Sequence, residues 1–203
     1  MALSNRELAR SLLGSGRMMR LSELRAAGVR APTLARMTAD GETLRLGRGV
    51  YQASHADMGM QHDLAQVALR APKAVICLVS ALAFHGLTDQ LSGKVWIAIG
   101  AKDWEPVEDF PPIKVVRFAD RLLEQGVEIH EIEGVPVRVF GVAKTVADCF
   151  RFRSTVGSSV ALEGLQEALR QRKASPAELM QAFEAGRIVS VARPYLEALT
   201  ANG

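Results

Sequence analysis

At 203 residues, 48% apolar and 23% charged, the chain has the composition of an ordinary globular protein, which excludes wholesale disorder. No apolar run approaches the ~20 residues that span a bilayer, since the longest, Ala74 to Phe84, is broken by Ser80. The N-terminus MALSNRELAR carries charge where a signal peptide needs its apolar stretch. Two isolated cysteines, Cys77 and Cys149, make neither a disulfide framework nor a metal site. The chain therefore reads as cytoplasmic, and no cofactor is expected.

The net charge of +3 is unevenly placed. Residues 1–53 hold nine arginines, no lysine and four acids (Glu7, Glu23, Asp40 and Glu42), a balance of +5; residues 54–203 hold 16 basic and 18 acidic residues. A basic head on a near-neutral body is the usual footprint of a nucleic-acid-binding module. Arginine suits that task because its guanidinium forks onto phosphates and guanine edges. The remainder of the chain uses lysine six times, so a compositional bias of the whole sequence does not account for the head.

In chain order, Ser4-Asn5-Arg6-Glu7 fits a capping box. Leu8, Leu12 and Leu13 share the helical face that follows, and Gly14-Ser15-Gly16 stops it. Residues 17–21, with Arg17 and Arg20, read as a stub of strand. Ser22 is placed to cap a second helix, Glu23 to Ala27, which Gly28 ends. Pro32 suits the first position of a third helix, where its missing amide loses no hydrogen bond, and that helix runs to about Asp40. Leu34 and Met37 face inward; Thr33, Arg36 and Asp40 face outward. Residues 43–46 and 50–52 form a β-ribbon across Gly47-Arg48-Gly49.

Helix, strand stub, helix, turn, helix and ribbon is the order of a winged helix-turn-helix. The expected organisation is a DNA-binding domain at 1–53, a linker at 54–59 and a body at 60–203. In such a module the second helix of the pair enters the major groove. That places Thr33 and Arg36 at bases, Arg30 at the helix entrance near phosphate, and Arg48 at the wing tip, free to meet the backbone or the minor groove; Arg45 and Tyr51 lie at the wing's base, and Arg17 and Arg20 are further DNA-contact candidates. The competing reading is a helix-turn-helix that serves as a protein-interaction scaffold.

The body opens with a helix at 60–70, a buried strand at 74–79 and a short helix, 81–85, capped by Ser80. Strands follow at 94–99, 113–117, 127–132 and 135–140, the last two joined by the hairpin signal Glu133-Gly134. Helices at 145–152, 159–171, 176–185 and 194–199 complete it, and Ser175-Pro176-Ala177-Glu178 is a second capping box. The fold class is α+β, a winged helix-turn-helix followed by a mixed α/β domain.

No catalytic pattern emerges. His55, His62, His85 and His130 show no metal-ligand spacing, and no Gly-rich phosphate loop is present. His85 reads as a helix-end residue and Asp148 as a lone structural carboxylate. Residues 103–133 hold nine acids against three bases. Residues 138–173 hold seven bases, Arg138, Lys144, Arg151, Arg153, Arg170, Arg172 and Lys173, against three acids. These stretches are either solvated faces or docking surfaces, the first for a basic protein and the second for phosphate or RNA.

The chain resembles the AbiEi family of antitoxins, the transcriptional-regulator half of type IV toxin–antitoxin systems of abortive infection and phage defence. The resemblance rests on Leu44-Arg45-Leu46-Gly47-Arg48-Gly49-Val50-Tyr51, on Ser80-Ala81-Leu82 with His85-Gly86-Leu87-Thr88, on Lys144-Thr145-Val146-Ala147-Asp148-Cys149-Phe150, and on Arg193-Pro194-Tyr195-Leu196-Glu197. It implies an N-terminal winged helix that represses its own operon on double-stranded DNA. It also implies a C-terminal domain that counters a nucleotidyltransferase-like toxin, without enzymatic activity. Arg30, Thr33, Arg36, Arg45 and Arg48 occupy the recognition-helix and wing positions of such a module, and inverted half-sites would favour a homodimer or paired copies. The alternatives are a non-catalytic module that neutralises a toxin by direct contact, and an enzyme that processes nucleic acid.

Overall fold

The computed structural model describes residues 3–14, 16–56, 59, 61–90, 92–106 and 111–201. The chain is α+β. It parts into two compact units, residues 1–72 with 106–111 and 130–137, and residues 73–105 with 112–129 and 138–203. The units therefore do not part at the expected linker, 54–59. Asp57 and Met58 of that linker lie outside the described residues, as do Ser15 and Met60. Among the described residues, no helix is long and apolar enough to cross a membrane.

In the first unit, α1 (Asn5–Leu13) starts as expected: the Ser4 hydroxyl accepts from the Glu7 amide, and the Glu7 carboxylate accepts from the Ser4 amide. β1 (Met19–Arg20) leads directly into α2 (Leu21–Ala26). Ser22 is not its cap; the Glu23 carboxylate accepts from the Arg20 amide and so begins the helix two residues early. α3 (Ala31–Ala39) takes Pro32 in its first turn. β2 (Thr43–Gly47) and β3 (Val50–Ala53) form an antiparallel hairpin that β1 extends on the β3 side. Gly49 takes φ +75° in the turn, a conformation open to glycine at little cost. The core is Ala9, Leu13, Leu24, Val29, Leu34, Met37 and Ala53, with Leu8, Leu12, Met19, Leu21 and Tyr51 against it.

The helix α4 (His62–Arg70) also belongs to this unit, for a polar reason. Glu133, at a hairpin tip with φ +50°, accepts from the Gln52 amide at 2.8 Å, from His62 Nδ1 at 2.9 Å and from the Gly59 backbone at 3.1 Å. Gln66 meets the other His62 nitrogen at 2.8 Å. Gln52, His62 and Gln66 are all buried, so the bonds that join them to Glu133 are strongly favoured over an open arrangement, although the Gln52 Oε1 is buried without a partner among the described residues. A left-handed Glu is unfavourable by about 1 kcal/mol, which these bonds outweigh.

The second unit is built on a mixed sheet in the order β6-β5-β4-β8-β7. The strands are β4 (Val75–Ile76), β5 (Val95–Gly100), β6 (Ile113–Phe118), β7 (Val127–Ile132) and β8 (Val135–Phe140). β4 is antiparallel to β5 and parallel to β8, and β5 is parallel to β6. The strand expected at 74–79 is only two residues long. Leu78 adopts φ +47°, which turns the chain into α5 (Leu78–Phe84). Ser80 does not cap that helix; its hydroxyl accepts from the Trp96 amide at 2.9 Å.

Helix α6 (Asp120–Leu123) follows β6, and α7 (Val142–Arg151) buries every residue from Thr145 to Phe150. Around α7 pack α5, α9 (Ser158–Arg170), α10 (Pro176–Gly186) and α11 (Val189–Thr200), with α8 (Arg153–Val156) as a short link. The second capping box, Ser175 with Glu178, is present. α11 begins five residues before the expected Pro194, which sits exposed inside it, where its one missing amide buries no polar group. Gly164 brings α9 against α5 so closely that a Cβ there would lie 2.7 Å from Leu82 Cδ2.

Candidate nucleic-acid interface

The first unit sorts its charges. Each of the four acids in residues 1–53 is engaged. Glu7 and Glu23 hold helix starts. Asp40 accepts from Arg6 at 2.6 Å, and Glu42 accepts from Arg6 and, at 2.9 Å, from Arg10. Hydrogen bonds from Arg10 and Arg6 draw the Glu42 carboxyl down to about 2. Two arginines of α1 are thus neutralised locally. Among the described residues, Arg17, Arg20, Arg25, Arg30, Arg36, Arg45 and Arg48 make no ion pair with an acid.

α3 divides cleanly. Leu34 and Met37 are buried at 0% and 1%. Arg30, Pro32, Ala35 and Arg36 are exposed and Thr33 is half-buried. Thr33 and Arg36, three apart, lie on neighbouring positions of one helical face. On the hairpin, Arg45 stands opposite Tyr51, and exposed Arg48 occupies the two-residue turn. Arg45 Nε also reaches the Gly47 carbonyl at 3.3 Å. Tyr51 is half-buried against the core. The expected base-reading residues therefore gather on α3 and the expected wing residues on the hairpin.

Arg17 and Arg20 differ from that group. The Arg17 side chain crosses the Gly134 turn, where a Cβ would lie 2.6 Å from its Nε. Arg20 donates to the Leu69 carbonyl at the end of α4. That bond lies within the first unit, and Arg20 is half-buried. Two residues escaped the sequence reading. Arg25 is exposed on α2, one of the seven arginines without an acid partner, and Asn5 bridges the α2–α3 turn. The Asn5 Nδ2 donates to the Gly28 carbonyl at 2.7 Å, and its Oδ1 accepts from the Arg30 amide at 2.8 Å.

The basic stretch of the second unit is not one surface. Lys144 is a clear correction: its side chain is 14% exposed, pairs with Asp148 and stacks over Phe140 and Phe118 at 4.4 and 4.9 Å. A helical charge one turn from a buried acid turns inward to meet it. Arg138 is held by Glu124 at 2.6 Å and by the Lys73 carbonyl at 2.8 Å. Arg151 lies over Phe152, and Arg153 caps the Phe150 carbonyl. Arg170 pairs with Glu167, Arg172 is exposed with φ +55°, and Lys173 donates to the His85 carbonyl. Nor is the acidic stretch a single face. Glu105 pairs with Arg117 and Asp103 accepts from the Gly100 amide, while Glu133 is in the polar network and Glu108 and Asp109 lie outside the described residues.

The Asp148 carboxylate accepts from the Lys144 ammonium. His85 ends α5 and meets the Phe140 carbonyl at 2.8 Å. Burial pushes the Cys77 and Cys149 thiols above the ordinary thiol range. Among the described residues, no group of three or more His, Cys, Asp and Glu could hold a metal ion.

No family model and no curated protein matches the chain. Among solved structures, the crystal structure of the Rv2827c protein of Mycobacterium tuberculosis is similar. It has a TM-score of 0.63 and 13% identity over 98% of this chain and 82% of that one. A likeness at that identity shows the fold alone.

Proposed function

We propose that the chain is a cytoplasmic DNA-binding repressor of its own operon. Its first unit acts as a winged helix-turn-helix, with α2 and α3 as the helix pair and the β2–β3 hairpin as the wing. One observation carries the reading. The acids of residues 1–53 are all committed to helix starts or to Arg6 and Arg10, so α3 and the hairpin present arginines without acid partners. Such a surface attracts a polyanion, releases its counterions and reads base edges with the same guanidinium groups.

Arg36 and Thr33 are the base readers; Arg30, Arg45 and Arg48 neutralise phosphates. The likeness to AbiEi motifs extends the reading to an antitoxin that counters a nucleotidyltransferase-like toxin. A salt-titrated binding assay tests the DNA half, comparing the duplex upstream of the chain's own gene with a shuffled duplex of equal length. Tight, steeply salt-dependent binding to the upstream duplex alone supports the reading, and weak, equal binding to both refutes it.

A second reading, direct contact with a protein partner, is favoured by Trp104, which is 94% exposed in the second unit. Exposed tryptophan is a common anchor of protein interfaces. Co-purification with the toxin that Trp104→Ala abolishes supports it.

A further inference from the structure

The proposed repressor needs the first turn of α3 held at a fixed angle, because base readout fails when the reading helix drifts by an ångström or so. The α2–α3 corner is closed by its own backbone, the Gly28 amide donating to the Arg25 carbonyl at 3.0 Å and the Val29 amide to the Leu24 carbonyl at 2.8 Å, but its own side chains do not fix the start of α3. Gly28 sits at φ +98°. The residue that starts α3, Arg30, makes no side-chain cap bond. Pro32 contributes no amide to the helix start.

Two features of α1 reach this corner. Asn5 uses both ends of its side-chain amide on it, donating to the Gly28 carbonyl at 2.7 Å and accepting from the Arg30 amide at 2.8 Å. Leu8 lies against Gly28, with Cδ2 3.6 Å from the position a Cβ would take there. Asn5 is itself fixed, since it is the first residue of a helix whose capping box is complete. A primary amide is the side chain that fits this task, as it offers a donor and an acceptor on one rigid plane.

We infer that Asn5 is a positioning residue for DNA discrimination: it clamps the α2–α3 turn across residues 28 to 30 and so sets the angle at which Arg36 and Thr33 meet base edges. Asn5 touches no DNA in this scheme and acts through the turn. The inference rests on the DNA-binding reading above. Its effect belongs to discrimination between sequences and not to overall phosphate affinity, because the arginines that meet phosphate are untouched.

The test measures affinity for the upstream duplex and for the shuffled duplex at one salt concentration, with wild type, Asn5→Ala, Asn5→Asp and Leu12→Ala. Leu12 packs on the same core from the last turn of α1, so Leu12→Ala reports general destabilisation. Asn5→Asp keeps the acceptor for the Arg30 amide and loses the donor to Gly28. Its added charge weakens both duplexes alike and cancels in the ratio.

The expected result is that Asn5→Ala lowers the ratio of the two affinities about tenfold, the size of one lost base contact. Its affinity for the shuffled duplex should stay within about twofold of wild type. Asn5→Asp falls between, and Leu12→Ala keeps the wild-type ratio. If wild type discriminates and Asn5→Ala discriminates equally well, the clamp is only structural and the inference is overturned while the DNA reading stands. Equal wild-type affinity for both duplexes overturns both.

Discussion

The buried ion pair of α7 gives the sharpest test of how the second unit is held together. The Lys144 and Asp148 side chains are 14% and 1% exposed. Burial pushes the Lys144 ammonium below its ordinary range and the Asp148 carboxyl above its own, each partly restored by the other. Breaking such a pair typically costs ~3–5 kcal/mol, out of a total stability of ~5–15 kcal/mol. The two single variants differ. In Asp148→Leu the ammonium keeps the faces of Phe140 and Phe118, a contact worth about 2 kcal/mol when desolvated, so the expected loss is about 2–3 kcal/mol. In Lys144→Met a fully buried carboxylate loses its ammonium partner, and the expected loss at neutral pH is about 4–5 kcal/mol.

The pH response separates them further. A carboxyl whose folded pKa is raised contributes stability that is complete below its ordinary value of 3.8 and is lost as pH rises through the higher folded value. Lys144→Met should therefore regain stability on acidification, and Asp148→Leu should not regain it by this route. The double variant removes both ions and should lie within about 1 kcal/mol of wild type, or above it. Urea unfolding of the four proteins at pH 7 and pH 5 closes the cycle. A double variant that loses the sum of the singles, or a Lys144→Met protein indifferent to pH, refutes the reasoning.

Arg48→Ala should weaken binding to every duplex and lower the magnitude of the salt slope by about 1, whereas Arg36→Ala should cost ~1–3 kcal/mol and relax preference at one base pair; gel-shift titration against single-base operator variants distinguishes them. Gly164→Ala would set a Cβ 2.7 Å from Leu82 Cδ2 and should cost ~1–3 kcal/mol by overpacking, with Leu82→Val restoring part of it in a denaturant titration. Glu42, held down at about 2 from an ordinary 4.5, contributes stability that is present above 4.5 and lost as pH falls towards 2. The melting temperature of wild type should accordingly fall more steeply over that window than that of Glu42→Gln.

Local signals were legible where the physics is local. Both Ser-x-x-Glu boxes mark helix starts that the structure contains, and the bounds of β7 and β8 follow from alternation and the Glu133-Gly134 turn. Residues 74–79 misled because an apolar run reads alike as buried strand and buried helix; the left-handed Leu78 that separates the two states has no sequence signature. Pro194 misled because a proline start and an exposed proline inside a helix look the same in one dimension. Charge counted along the chain could not tell that Lys144 turns inward or that Arg20 is taken by the Leu69 carbonyl. Those outcomes depend on a neighbour one helical turn away and on one 49 residues away. Asn5 looks in the sequence like part of a helix start alone, since its partners lie 23 and 25 residues on.

The two-faced build of α3 bears on how such a protein can diversify. Leu34 and Met37 carry its packing, while positions 32, 35, 36 and 39 face away from the core. Substitutions at exposed sites of this kind usually change stability by no more than about 0.5 kcal/mol. The outward face can therefore be rewritten with little consequence for folding, and what this helix meets can change one side chain at a time while the frame that holds it stays the same.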